Sequence, residues 1–448
     1  MNMNNNEQKI EQKFQEIEKS IPLARTPITF KQLEAVIAKW LLIKDRWIIK
    51  VMAGIVLANK LKGDPVWLFI VAASGGTKTE LIRGLNSIHG IYPISDLTPQ
   101  TFLSGEKGNK NASLLLRLPA ESTILTYKDF TTVLTMHRDK RHAILSQLRE
   151  IYDGYYRKEF GTGETKTWIG KMGFIAGVTS VIDSHQTIFQ VLGERFIQYR
   201  PEQPDAIALA RKAMANSGGE KPMREEIENA FADFIAGIVI PEEAALISED
   251  CKDRIAHLAA FCVRARSGII RDGFSSREID LIPDSEMPTR LAKQLITMAS
   301  AFALIGNATP EEDYELVYKI GMDSLPHKRK KTLETLLKAT GELETADIAM
   351  KIGYPTNSTR RILEDLHGLR LVERRHEGQG YADGWLISDN AKELLDKSRP
   401  ASLPKPTEAD KKDTLPDMSD DFDKEAESFF VKEENGALPE MSADNKLD

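Results

Sequence analysis

Three short stretches of the chain carry no charge and are built of apolar, glycine or small hydroxyl residues: residues 66–72 (VWLFIVA), 122–127 (STILTY) and 173–178 (GFIAGV). Runs of this length without alternation predict strands buried on both faces, as in a parallel sheet. Between them the apolar positions fall into a helical period, as in residues 143–152. That alternation of strand and helix predicts an α/β unit over residues 65–204. Ahead of it, Leu33, Val36, Ile37, Trp40 and Leu41 recur at helical spacing, so residues 30–64 read as a lead-in of one or two helices. Residues 1–29 are polar, contain Pro22 and Pro27, and are expected to be a flexible arm.

After the α/β unit the pattern turns helical over residues 205–326, including 251–266 and 287–305. Residues 327–398 then read as a small domain of their own, with helices predicted at 332–340, 344–352 and 357–368. Strands at 371–375 and 384–388 follow, joined by a loop with Gly378 and Gly380. Three helices and a hairpin are the winged-helix arrangement. Residues 399–448 are dominated by prolines and acids and are expected to be disordered.

At 448 residues and 41% hydrophobic, the chain can bury two or three domains. Its cysteines, Cys251 and Cys262, lie in one helical run, which fits reduced thiols and a cytoplasmic protein. No apolar run reaches membrane-spanning length, and the N-terminus lacks signal-peptide character. The net charge of −7 argues against nucleic acid until its distribution is considered. Residues 401–448 alone carry −8, so the first 400 come to +1. Residues 327–376 hold eleven Lys or Arg against seven acids. An acidic tail thus follows a body that is basic in places.

The chemistry begins where the first strand ends, in AASGGTKT. In a phosphate-binding loop, backbone N–H groups of Ser74, Gly75, Gly76 and Thr77 would curl around a phosphate. Lys78 would reach the outer phosphates of ATP, and the Thr79 hydroxyl would ligate Mg²⁺. The usual pattern has glycine where this chain has Ala72 and Thr77, and the alternative is a surface turn before a helix. A phosphate loop needs a second strand ending in acids; TYKDF supplies one carboxylate, Asp129, with Lys128 where a second acid is usual. Asp129 is expected to hold the metal or polarise water, and otherwise caps the next helix.

The order of these segments over residues 60–400 resembles the AAA+ ATPases, and within them the minichromosome-maintenance-like helicases of phages and mobile elements. The resemblance rests on VAASGGTKT, on YKDF at 127–130, on GERF at 193–196 and on the C-terminal helices and hairpin. It implies an AAA+ core with a C-terminal winged helix, a homo-oligomeric ring, a hexamer if the family pattern holds, and ATP hydrolysis coupled to DNA translocation. It implies sensor roles for Thr179 and Arg290, and an arginine, Arg195, that reaches the neighbouring subunit's nucleotide. Each has a plain alternative: a strand-end threonine bonded to backbone, a helix start, and a surface arginine.

The resemblance also makes residues 148–168 a hairpin projecting into a DNA channel. Arg157, Lys158, Lys166 and Lys171, with Tyr155, Tyr156 and Trp168, would then hold single-stranded DNA by charge and stacking. The alternative is a solvated hairpin whose aromatics pack on the core. Asn357, Ser358, Thr359, Arg360 and Arg361 open the third C-terminal helix, and Arg374 and Arg375 begin the wing, positions suited to duplex phosphates, though many winged helices bind proteins. The tail's acids around Phe422, Phe429 and Phe430 would dock on a protein partner, compete with DNA for the basic surface, or simply solubilise. The expected function is a DNA helicase of a phage or mobile element. The alternatives are an ATP-switched initiator, loader or regulator that does not unwind, and a transcription factor whose ATPase-like body binds no nucleotide.

Overall fold

Burial on both faces of four of its five strands is what builds the central sheet. The computed structural model describes residues 25–75, 77–106, 113–120, 123–185, 194–242, 247–272, 278–376 and 382–402. Most of the expected N-terminal arm, Gly76, Ser122, Gly193, the loop glycines Gly378 and Gly380, and nearly all of the acidic tail lie outside those residues. Two helices precede the sheet, α1 (Phe30–Trp40) and α2 (Trp47–Lys60). Thr29 and Gln32 close a capping box at the start of α1. Helix α2 is buried along nearly its whole length, as its all-round apolar sequence requires.

Strand β1 (Trp67–Val71) leads through the glycine loop into the short helix α3 (Lys78–Arg83), then β2 (Ile91–Ile94), a single turn α4 (Leu114–Arg117) and β3 (Thr123–Tyr127). A turn α5 (Thr131–Leu134) and the long α6 (Arg138–Tyr152) lead to the hairpin β4 (Tyr155–Glu159) and β5 (Thr165–Ile169). Strand β6 (Met172–Val178), a 3-10 turn Ser180–Ser184 and β7 (Phe196–Tyr199) complete the sheet. Its order is β2-β3-β6-β1-β7. All four pairings are parallel, with Trp67 level with Phe174 and with Phe196.

The pleat sends alternate β1 residues to two cores. Leu68 and Ile70 face one that includes α1 and α2. Trp67, Phe69 and Val71 face the other, an aromatic cluster in which Phe69 stacks on Phe196 at 3.8 Å. The sequence predicts β1, β3 and β6 to within a residue at each end but not β2, which is short and half-exposed, nor β7, whose Phe-Ile-Gln-Tyr overlaps the Arg-Phe motif.

The rest is mainly helical: α7 (Ala206–Ala215), α8 (Glu220–Ala236), α9 (Glu249–Arg266), the small ribbon β8 (Ile270–Arg271) and β9 (Ile279–Leu281), α10 (Thr289–Ile305) and α11 (Pro310–Asp323). Then come α12 (His327–Lys338), β10 (Leu343–Glu344), α13 (Thr345–Ile352), α14 (Thr356–Gly368), β11 (Val372–Arg375), β12 (Gly384–Ile387) and α15 (Asp389–Ser398). β10, β12 and β11 form a small antiparallel sheet. This C-terminal group is packed on the preceding helices: Arg329 donates to the Ala265 and Ser267 carbonyls, and Tyr314 donates to that of Ser398. The fold is mixed α/β around a five-stranded parallel sheet. Among the described residues no helix is long and apolar enough to cross a membrane.

Candidate functional site

The order of the strands decides where a ligand can sit. The chain leaves β1 toward β2 at one edge, whereas β7 lies on the other side of β1. In an open parallel sheet the crevice at such a reversal, beyond the carboxyl ends of the strands, is the usual ligand site. The loop after β1 lies there. Ala73, Ser74 and Gly75 are exposed. Gly75 has φ +79° with open space around it, so glycine is needed there for backbone conformation rather than for room.

Lys78 begins α3 with only 5% of its surface exposed, and its ammonium donates to the Ala72 carbonyl at 2.8 Å. Burial lowers its pKa, while the nearby Asp129 carboxylate opposes that shift. Thr77 and Thr79 flank it, both half-buried.

Strands β3 and β6 end against the same loop. Asp129 accepts from the Thr131 amide at 3.0 Å, and the Thr131 hydroxyl lies 3.2 Å from the Thr179 hydroxyl and accepts the Thr179 amide at 3.1 Å. Phe130 is buried and its amide donates to the Gly177 carbonyl at 2.7 Å. A Cβ on Gly177 would lie 2.5 Å from the Lys128 carbonyl and 3.4 Å from Lys78 Cδ. Glycine there is what allows the end of β3 and the stem of Lys78 to close on β6. Lys78, Asp129 and Thr179 are therefore gathered at one end of the sheet.

Beside Lys78 and Thr77 opens a narrow cleft walled by Ile43, Ile48, Leu81 and the segment Pro201 to Pro204. Asp45 also lines it, accepting from the Tyr199 hydroxyl at 2.7 Å. Burial and that carboxylate push the Tyr199 hydroxyl pKa far up. These cleft residues were not found in the sequence. They come from two connections over 150 residues apart, and neither has a periodic pattern to mark it.

Arg195 and Arg290 lie elsewhere. Arg195 immediately precedes Phe196, which is level with Trp67, so it stands at the amino-terminal edge of the sheet. With ~3.3 Å per strand residue, that edge is roughly 15 Å from the carboxyl end of β1. Arg195 is 6% exposed, pairs with Asp153 at 2.9 Å and lies over the Tyr152 ring. Arg290 pairs with Glu286 at 2.7 Å and lies over the same ring. The two arginines are thus brought to each other and not to Lys78 of their own chain. No protein-family model matches this chain, and no curated protein matches it.

The hairpin β4–β5 exists in the expected place, with Tyr156 paired to Trp168. Both of those rings are buried in the aromatic core, so the expectation that they stack on nucleic acid is corrected: only Tyr155, 47% exposed, is available. Arg157 is exposed and pairs with Glu159. Lys158 donates to the Pro99 carbonyl, Lys166 to that of Ser104 and Lys171 to that of Leu61.

At the start of α14, Asn357 and Arg360 are exposed and Ser358 and Arg361 half-exposed. Thr359 is fully buried and its hydroxyl donates to the Pro355 carbonyl at 3.2 Å, which removes it from any external contact surface. Arg271 pairs with Glu364 and Asp365 in the second half of the helix, leaving its first turn as the open part. Arg374 pairs with Asp383 and Arg375 with Glu342, both at the surface. Among the described residues there is no cluster of three or more His, Cys, Asp or Glu able to hold a metal by itself.

Proposed function

We propose that this chain is an ATP-dependent motor of the AAA+ type that acts on DNA, most simply a helicase. The observation that carries the reading is the convergence of Lys78, Asp129 and Thr179 beyond β1, β3 and β6, with a small cleft beside Lys78 and Thr77. A buried lysine held by a carbonyl has an ammonium ready for a stronger acceptor, and a polyphosphate is one. The donor set fits Mg²⁺, which takes one or two protein oxygens and completes its shell with phosphates and water. Thr79 and Asp129 are those oxygens here. When bound, MgATP supplies the phosphoryl group whose transfer to water drives the motor. Asp129 orients or polarises that water, and Thr179 holds the end of β6 in register with it.

Arg195 and Arg290 fit a role in trans. They are too far from their own Lys78 to touch its nucleotide, and a head-to-tail ring would bring one chain's arginine edge to the next chain's cleft. For Arg195 this requires the Asp153 pair to open. The C-terminal helices and hairpin fit a winged helix with the first turn of α14 facing DNA.

A second reading, an ATP-switched adaptor that binds DNA without unwinding it, is favoured by two particulars: the single carboxylate at Asp129 beside Lys128, and the burial of Arg195. ATP turnover by the wild type and by Lys78→Ala, with and without single-stranded DNA, separates the readings. DNA-stimulated turnover that Lys78→Ala abolishes supports the motor. Tight ATP binding with negligible turnover supports the adaptor, and undetectable ATP binding by the wild type removes both. Loss of a charge-assisted contact of about 1.5–3 kcal/mol predicts at least about tenfold weaker ATP binding by Lys78→Ala.

A further inference from the structure

The cleft beside Lys78 shares one lining residue, Ile43, with a second and larger groove. This apolar groove runs along α1, where Ala35 and Ala38 face it with Leu42 and Ile43, over a floor that includes Phe30 and Ile49. Ile43 belongs to both the groove and the cleft, so the connection 41–46 is the partition between them. The groove's charged lining residues are Lys31, Glu34 and Arg46, two cations against one acid. The two alanines leave room for a backbone to approach closely.

The sequence contains a segment matched to this groove. Ile10, Phe14, Ile17 and Ile21 recur at spacings of four, three and four, which is one side of a helix, and Glu11 and Glu18 flank that side a heptad apart. The chain is anchored at Arg25, which donates to Asn229 at 2.9 Å and to the Ser87 carbonyl at 3.3 Å. Five residues later Phe30 is already in the groove. We propose that residues 10–21 of the same chain lie in this groove with the isoleucines and Phe14 inward and the glutamates toward Lys31 and Arg46. Attachment only four residues from Ile21 gives this segment an effective concentration that an untethered partner lacks. Filling the groove braces the partition from behind and so fixes the wall of the cleft. That consequence, though not the docking itself, rests on the nucleotide reading above.

The test uses the full chain with the photo-crosslinking residue p-benzoylphenylalanine in place of Phe14, followed by irradiation and mapping of the cross-links. Cross-links within one chain to residues 30–49, reduced several-fold by Ala38→Arg, are expected. Ala38 is exposed, so an unchanged melting curve is required of that variant. Cross-links that join two chains, that map only elsewhere, or that do not form overturn the proposal. The same probe in place of Phe429 examines the tail, and its cross-linking to residues 30–49 would make the tail the occupant and also overturn it. Phe14→Glu is expected to weaken binding of a fluorescent ATP analogue several-fold, and an unchanged affinity overturns the bracing. Absence of analogue binding to the wild type removes the nucleotide reading and leaves the cross-link result standing.

Discussion

Single side chains decide how closely three strand ends approach one another. Gly177 is the tightest point, and Gly177→Ala would push a methyl group to 2.5 Å from the Lys128 carbonyl, a backbone atom that cannot swing aside. Overpacking of this kind costs about 1–3 kcal/mol. A lower melting temperature together with weakened ATP binding is expected; a variant as stable and as tight-binding as wild type would mean that the ends of β3 and β6 are not held together as described.

Lys78 carries a pH signature. Burial lowers its pKa below that of a free lysine, so it loses its proton earlier as pH rises. Phosphate binding needs the ammonium, and affinity for ATP is therefore expected to fall with rising pH before free lysine titrates. The sign for stability is opposite: the unfolded chain binds the proton more tightly, so Lys78's contribution is fully present above the unfolded pKa and lost as pH falls through the folded one. Calorimetric titration of ATP across alkaline pH checks the first, and denaturant melts over the same range check the second.

Whole elements present one face outward and bury the other, and that choice separates residues adjacent in sequence. In α14, Thr359 is buried while Arg360 is exposed. Arg360→Ala is expected to weaken DNA binding and to reduce its salt dependence by about one counterion. Thr359→Val, measured by the same salt titration, should leave both unchanged. In the hairpin, Trp168→Ala is expected to cost about 3–5 kcal/mol of stability because it empties the aromatic core, whereas Tyr155→Ala leaves the melt unchanged and weakens only single-strand binding. The β-strand alternation placing Tyr155 and Tyr156 on opposite sides was legible in the sequence. Which side faces the core was not, because both are tyrosines and only the packing of β4–β5 against Trp67, Tyr152 and their neighbours settles it.

At the scale of the molecule, the candidate site is divided between two edges of one sheet: Lys78 at the carboxyl ends and the Arg195–Arg290 pair at the amino edge. If they work together, they do so between chains. Lys78→Ala and Arg195→Ala proteins, each inactive alone, are then expected to recover part of the ATP turnover when mixed, since some interfaces pair an intact lysine with an intact arginine. No recovery at any mixing ratio would argue against action in trans.

The sequence by itself determined three of the buried strands, β1, β3 and β6, because runs without charged or large polar residues leave no solvent-facing side, and the Lys-Thr pair after the first of them, because that spacing is local. It also determined the three-helix-and-hairpin succession near the C-terminus, where each element carries its own periodicity. Only the tertiary structure decided that β6 lies between β1 and β3, that the cleft is walled by residues 43–48 and 201–204, and that Arg195 is held by Asp153. These are relations between segments distant along the chain, and they arise from which faces pack together, which no single segment's pattern encodes.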